Sequence, residues 1–76
     1  MTGFERYRRK NLITQAELAD ILKLSPQAVS KWETGKGTPR TPILRQLSAL
    51  YGVSIEDLLR DDYPDNDIME EKAKGA

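Results

Sequence analysis

Only two residues separate two predicted helices in the first half of this chain, and this short connection restricts the fold more than any other sequence feature. Thr14, with a glutamate three residues later, forms a capping box that begins the first of these helices. Ser25 begins the second helix, and Pro26 follows at the first helical position, where its missing N–H costs nothing. Because residues 23 and 24 are too few for an antiparallel hairpin, the two helices are expected to meet at a steep angle.

Apolar residues at helical spacing predict three further helices, so the expected fold is an all-α, compact five-helix bundle. No stretch alternates apolar and polar residues with β-branched enrichment, as a strand would. Thr41 and Pro42 repeat the pattern of Ser25 and Pro26, a capping hydroxyl followed by proline, and predict the start of a fourth helix. Gly52 is expected to end this helix. The predicted helices cover residues 4–10, about 15–22, about 26–34, the stretch after Thr41, and a short stretch from Ser54 to residue 59.

Composition removes several classes of function. The chain has 76 residues, which is room for one domain, and it contains neither cysteine nor histidine. The usual zinc sites, the commonest general base and the Ser-His-Asp arrangement are therefore all missing, and we expect no enzyme activity, no metal and no cofactor. No apolar run approaches the roughly 20 residues of a membrane span, and the start of the chain lacks the apolar core of a signal peptide. A cytoplasmic protein without a membrane partner is expected.

Charge divides the chain into two parts. Residues 1–60 hold ten Lys and Arg against six Asp and Glu, a balance of +4, whereas residues 61–76 hold two Lys against six acids, a balance of −4. A mildly basic body suits contact with phosphates. The predicted domain is therefore 1–60, followed by an acidic tail, 61–76, that is expected to be disordered; a partner-binding or self-shielding arm is the alternative. Tyr51 and Tyr63 are interpreted as surface or edge aromatics.

One face of the helix at 26–34 carries groups that suit base edges. Four polar residues fall within an arc of about 100°: Gln27, Ser30, Lys31 and Thr34. Val29 and Trp32 lie nearly opposite and are expected to pack inward. A glutamine amide can bond adenine bidentately and a lysine ammonium can reach guanine. An ordinary solvated helix face is the other interpretation.

Three stretches resemble the phage repressor/Cro class of helix-turn-helix domains, the XRE family. They are Thr-Gln-Ala-Glu-Leu-Ala at 14–19, Ser-Pro-Gln-Ala-Val-Ser-Lys-Trp-Glu-Thr-Gly-Lys at 25–36 and Val-Ser-Ile-Glu-Asp-Leu-Leu at 53–59, within a match over roughly 4–60. The resemblance implies a lambda-repressor-like, DNA-binding fold that inserts the helix 26–34 into the major groove. It departs from the family at Lys23, where glycine is frequent, and a positive φ there would cost roughly 1 kcal/mol.

The resemblance also implies roles for individual residues. Side chains expected to contact bases are Ser25, Pro26, Gln27, Ser30 and Lys31. Side chains expected to contact phosphates are Thr14, Gln15, Thr34, Lys36 and Arg40. Arg8 and Glu33 are expected to form a structural ion pair that holds the first helix against the third.

Two functions remain open at this point. The first is a sequence-specific transcription regulator of the repressor/Cro type, bound as a homodimer to a double-stranded DNA operator with half-sites about 34 Å apart. The second is an antirepressor- or antitoxin-like module that keeps the fold and binds a protein partner, either another regulator or a toxin.

Overall fold

Five short helices make up residues 1–65, the part of the chain that this computed structural model describes. In chain order they are α1 (Gly3–Lys10), α2 (Gln15–Leu22), α3 (Pro26–Glu33), α4 (Thr41–Tyr51) and α5 (Ile55–Leu59). There is no strand within these residues, so the predicted all-α fold of five helices is confirmed. None of the helices in this part of the chain has the length and apolar character needed to span a membrane.

Side-chain caps begin α2, α3 and α5 at the predicted residues. Thr14 Oγ1 accepts a hydrogen bond from the Glu17 backbone N–H at 3.0 Å, and Glu17 Oε1 accepts one from the Thr14 backbone N–H at 2.8 Å. Ser25 Oγ accepts from the Ala28 N–H at 3.3 Å, and Ser54 caps α5 in the same way. These bonds satisfy N–H groups that have no partner inside the helix, which is why the pattern fixes where each helix begins.

The start of α4 differs from the prediction. Thr41 is the first helical residue and not the cap, and the capping position is held by Arg40, which makes no side-chain cap hydrogen bond. Pro42 is consequently the second helical residue. A proline is tolerated there because that N–H also lacks an intrahelical partner, so the position of the proline does not distinguish the two starts.

The inner side of α3 forms the centre of the core. Val29 is fully buried, and Trp32 is 8% exposed with its ring 6.3 Å from that of Phe4. The helices α2 and α3 pack against each other, and Leu24 N donates to Ala19 O at 2.8 Å across the turn between them. The predicted inward orientation of Val29 and Trp32 is confirmed.

Within residues 1–65, two residues other than glycine adopt the left-handed backbone conformation. Lys23, at the end of α2, has φ of 60°. Glycine is frequent at this position in the family, and a positive φ explains why. Leu12, between α1 and α2, has φ of 58° and is 85% exposed. The conformation of Leu12 is unfavourable because a residue with a Cβ is strained at positive φ. Burial of the side chain does not offset this strain, because the side chain faces solvent.

Replacing Leu12 by glycine is expected to stabilise the domain by about 0.5–1 kcal/mol, and Lys23→Gly should have a similar effect. In a domain of this size the melting temperature would rise by a few degrees. Thermal unfolding followed by circular dichroism measures it. Ala49→Gly, at an exposed position inside α4, is the matched control and should destabilise by about 1 kcal/mol. A lower melting temperature for Leu12→Gly would contradict the strain argument.

The chain after α5 folds back onto α1. Tyr63 is 6% exposed, its hydroxyl donates to Asp57 O at 3.0 Å, and its ring centroid lies 4.0 Å from the Arg6 guanidinium and 4.6 Å from that of Arg60. The interpretation of Tyr63 as a surface aromatic is therefore wrong. The acidic composition around it masked one large ring that can pack between cations. The remainder of the predicted tail, 66–76, lies outside the described residues.

Tyr51, also interpreted as a surface or edge aromatic, is only half exposed and stacks on Tyr7, with ring centroids 6.3 Å apart. Its hydroxyl oxygen is buried and has no hydrogen-bond partner within residues 1–65. Burial raises the pKa of Tyr51 to about 12; the charge of Arg8 lowers it and that of Glu33 raises it further.

The substitution Tyr51→Phe is expected to stabilise the protein by about 1 kcal/mol at neutral pH, because it removes a buried, unsatisfied hydroxyl. The gain should grow above about pH 10, where an unfolded tyrosine ionises but the folded one, with its raised pKa, does not, so that alkali favours unfolding of the unsubstituted protein. Urea unfolding at neutral and alkaline pH tests both parts. Tyr63→Phe is the matched control: it loses the bond to Asp57 and should destabilise at neutral pH. Equal effects of the two substitutions would refute the prediction.

Candidate nucleic-acid interface

The outer side of α3 presents its polar groups to solvent. Gln27, Lys31 and Thr34 are exposed and Ser30 is half-buried, and together with Lys36 they line one shallow depression of about 320 Å³. The opposite side of the same helix is the buried side of the core. An amide, an ammonium group and hydroxyls are thus gathered on one side of α3, as the helical spacing predicted.

The residues at the two helix starts are accessible as well. Ser25 and Pro26 are exposed at the beginning of α3, and Thr14 is exposed at the beginning of α2. The hydroxyl oxygens of Ser25 and Thr14 accept backbone hydrogen bonds, which leaves each hydroxyl proton available for donation to an acceptor outside the protein. Their contacts with bases and phosphates remain predictions.

The other three predicted phosphate contacts near α3 are not equivalent. Thr34 is exposed, but its hydroxyl donates to Ser30 O at 2.9 Å and would have to turn before it could donate to a phosphate. Lys36 borders the depression beside α3. Arg40 lines a different, largely apolar groove of about 530 Å³, together with Leu24 and Pro42. Lys36 therefore lies beside the polar side of α3, whereas Arg40 lines a groove that Ala28 and Trp32 of α3 also border.

The predicted ion pair between Arg8 and Glu33 is present and has two hydrogen bonds. Arg8 Nε donates to Glu33 Oε2 at 2.5 Å, and Arg8 Nη2 donates to Glu33 Oε1 at 3.0 Å. The side chains are 13% and 4% exposed, so both charges are largely removed from water. Burial lowers the pKa of the Arg8 guanidinium, but the hydrogen bonds and charge of Glu33 outweigh it, and the net shift is upward. The pair ties α1 to the last residue of α3.

Gln15, predicted to contact a phosphate, has a partner inside the protein. Its Nε2 donates to Glu33 Oε1 at 3.0 Å, and the residue is half-buried at the first position of α2. The same carboxylate thus connects the beginning of α2, the end of α3 and the last turn of α1. The sequence resemblance assigned Gln15 and Glu33 separate roles and did not place them together.

A family model described as helix-turn-helix matches residues 4–58, which is most of the chain. The chain belongs to the helix-turn-helix family. This confirms the XRE-type resemblance, since the matched range contains α2, α3 and the turn that joins them.

A curated relative of this helix-turn-helix chain comes from Enterococcus faecalis and is named HTH-type transcriptional activator BcrR. The two sequences are 48% identical over 50 residues, which is 66% of this chain and 24% of the relative. The chain therefore spans about a quarter of the length of that relative. The comparison with solved structures gives no significant match.

Sequence reasoning missed one residue that supports the helix-turn-helix from outside it. Thr2 caps α1 by accepting from the Glu5 N–H at 3.3 Å, and its hydroxyl donates to the backbone oxygen of Glu33 at 3.1 Å. A threonine followed three residues later by a glutamate is the same signal that identified the start of α2. The cap was therefore readable from the sequence, whereas the contact with the end of α3 was not.

Proposed function

We propose that this chain is a sequence-specific, DNA-binding transcription regulator that places α3 in the major groove. The observation that carries the proposal is the division of α3: Val29 and Trp32 are buried, while Gln27 and Lys31 stand exposed on the opposite side. Membership of the helix-turn-helix family and the similarity to a transcriptional activator support it. Direct readout would come from bidentate bonding of adenine by Gln27 and of guanine by Lys31.

The positions around α3 would fix its orientation on the duplex. Ser25, Pro26 and Ser30 would flank the two base-reading side chains, while Thr14, Gln15, Thr34 and Lys36 would hold phosphates on either side. Arg40 would reach a phosphate from the groove that it lines beside α4. The expectation of a repressor/Cro-type regulator and the activator named among the relatives differ only in sign. That sign depends on where the operator lies relative to a promoter, which this surface does not determine.

A homodimer is part of the proposal. Leu50 and Leu59 are 42% and 49% exposed on α4 and α5, two helices that pack against each other. Helix α5 and the loop before it are the proposed self-association surface, and two copies would bind half-sites about one helical turn apart. The operator is therefore expected to have two-fold symmetry.

Selection of binding sequences from a pool of random duplexes tests the proposal directly. We expect related, two-fold symmetric sequences to be recovered, and their binding to weaken steeply as salt rises because phosphate contacts release counterions. If no duplex is retained even at low salt, and the protein instead co-purifies with a stoichiometric protein partner, the antirepressor- or antitoxin-like alternative replaces this function.

Gln27→Ala and Lys31→Ala are each expected to weaken binding to the selected duplex by roughly 1–3 kcal/mol and to relax the preference at one base pair. Gel-shift titrations with the selected duplex and with single-base variants measure both effects. Gln46→Ala removes the same amide from an exposed position on α4 and serves as the control, with no expected change. Lys36→Ala should weaken all sequences alike. Unchanged base preference in both α3 variants would show that this helix does not read the bases.

A further inference from the structure

Glu33 does more than pair with Arg8, because its carboxylate is shared between two elements of the DNA-binding unit. Oε1 accepts from Arg8 Nη2 and from Gln15 Nε2, both at 3.0 Å, while Oε2 accepts from Arg8 Nε. The Glu33 side chain is 4% exposed. A carboxylate in this position is held from one side by α1, and it holds the first residue of α2 from the other.

This contact determines which way the Gln15 amide faces. An ionised carboxylate can only accept hydrogen bonds, so the NH₂ group of Gln15, and not its oxygen, must point to Glu33. The two N–H bonds of an amide nitrogen diverge by about 120°, so the second N–H points away from the buried carboxylate. Gln15 is half-buried at the start of α2, where the backbone N–H groups also favour an anion.

We infer that Glu33 is a positioning residue for DNA binding, which accepts one N–H of Gln15 and thereby directs the other to a DNA phosphate. The inference rests on the proposed function. Fixing the Gln15 side chain before DNA arrives reduces the ordering cost of the contact. Because Glu33 is also the last residue of α3, the phosphate contact made by α2 is set at a constant distance from the base-reading surface.

A double-mutant cycle separates this role from simple support of the fold. The double variant Arg8→Met/Glu33→Leu replaces the ion pair by apolar side chains, which keeps the interior filled but removes the anchor of Gln15. We expect Gln15→Ala to weaken binding of the selected duplex about tenfold in the unsubstituted protein, as for loss of a hydrogen bond to a charged group. In the double-variant background the same substitution should cost less than about twofold, because coupled residues are not additive.

Two further measurements keep the test decisive. If the double variant does not fold, Arg8→Leu/Glu33→Met takes its place, since it also removes the carboxylate that anchors Gln15 and leaves no buried charge without a partner. The side-chain amide signals of Gln15 in a nitrogen–proton NMR spectrum should shift and lose exchange protection in either variant, without DNA. Ile55→Val, in α5, is the destabilised control: it should lower the melting temperature while Gln15→Ala still weakens binding about tenfold.

The possible outcomes are distinct. If the unsubstituted protein binds no duplex, the proposed function fails and this inference fails with it. If the protein binds DNA but Gln15→Ala costs the same with and without the Glu33 carboxylate, only the inference is overturned. Unchanged Gln15 amide signals in the Glu33 variant would overturn it as well.

Discussion

Gly3→Ala is expected to destabilise the domain by about 3 kcal/mol, a large part of the stability that so small a fold can have. A Cβ at this position would lie 2.5 Å from Leu58 O and 2.8 Å from Leu58 C, and closer still to Asp57 O. These are backbone atoms of α5, so no side chain can rotate away. Gly3 N also donates to Arg60 O at 2.7 Å, which fixes the two segments at this distance. Thermal unfolding should show a melting temperature lower by roughly 15 °C.

Gly37→Ala is the matched control for that experiment. A Cβ there would meet only Lys31 Cβ, at 3.9 Å, which is an ordinary contact. Its melting temperature should be unchanged or slightly higher, because alanine restricts the unfolded chain. If Gly3→Ala melts within a few degrees of the unsubstituted protein, α1 and α5 can separate without loss, and their close approach does not stabilise the fold.

The helix starts were predictable because their signals are local. Thr14 and Ser25 cap helices through hydrogen bonds to N–H groups only three residues away, so the sequence itself contains both partners. The orientation of α3 was predictable for a similar reason, since Val29 and Trp32 are set apart from Gln27 by the helical period alone. Local signals do not distinguish neighbouring positions. At the start of α4, both Arg40 and Thr41 could be the capping residue under the same rules.

Contacts between distant segments were not predictable from the pattern. Gly3 contacts Leu58, and Gln15 contacts Glu33, only because the bundle brings these segments together. The identity of a glycine or a glutamine does not indicate which distant residue it contacts. Tyr63 shows the same limit in another way: the acidic composition of its segment gave no indication that its ring would contact the Arg6 guanidinium. The exposed surface of the candidate site and the Arg8–Glu33 pair therefore followed from the sequence and its family resemblance, whereas the contact of Gln15 with that pair did not.

The Arg8–Glu33 pair gives the second large effect. Arg8→Met is expected to cost about 3–5 kcal/mol, because it leaves the Glu33 carboxylate buried without its cation. Gln15 would remain as a neutral donor to the carboxylate, and it cannot replace the bidentate guanidinium. Urea unfolding at neutral pH is the measurement, and the variant should be unfolded, or close to it, without denaturant.

Adding Glu33→Leu to Arg8→Met should restore most of the lost stability, since apolar side chains of similar volume often replace a buried ion pair without cost. The restored protein should nevertheless bind its duplex about tenfold more weakly, because the Gln15 amide has lost its anchor. Recovery of stability without recovery of binding is the combination that a purely structural pair cannot produce. If the second substitution restores both, the ion pair serves only to hold α1 against α3, and Gln15 orients itself on the DNA without it.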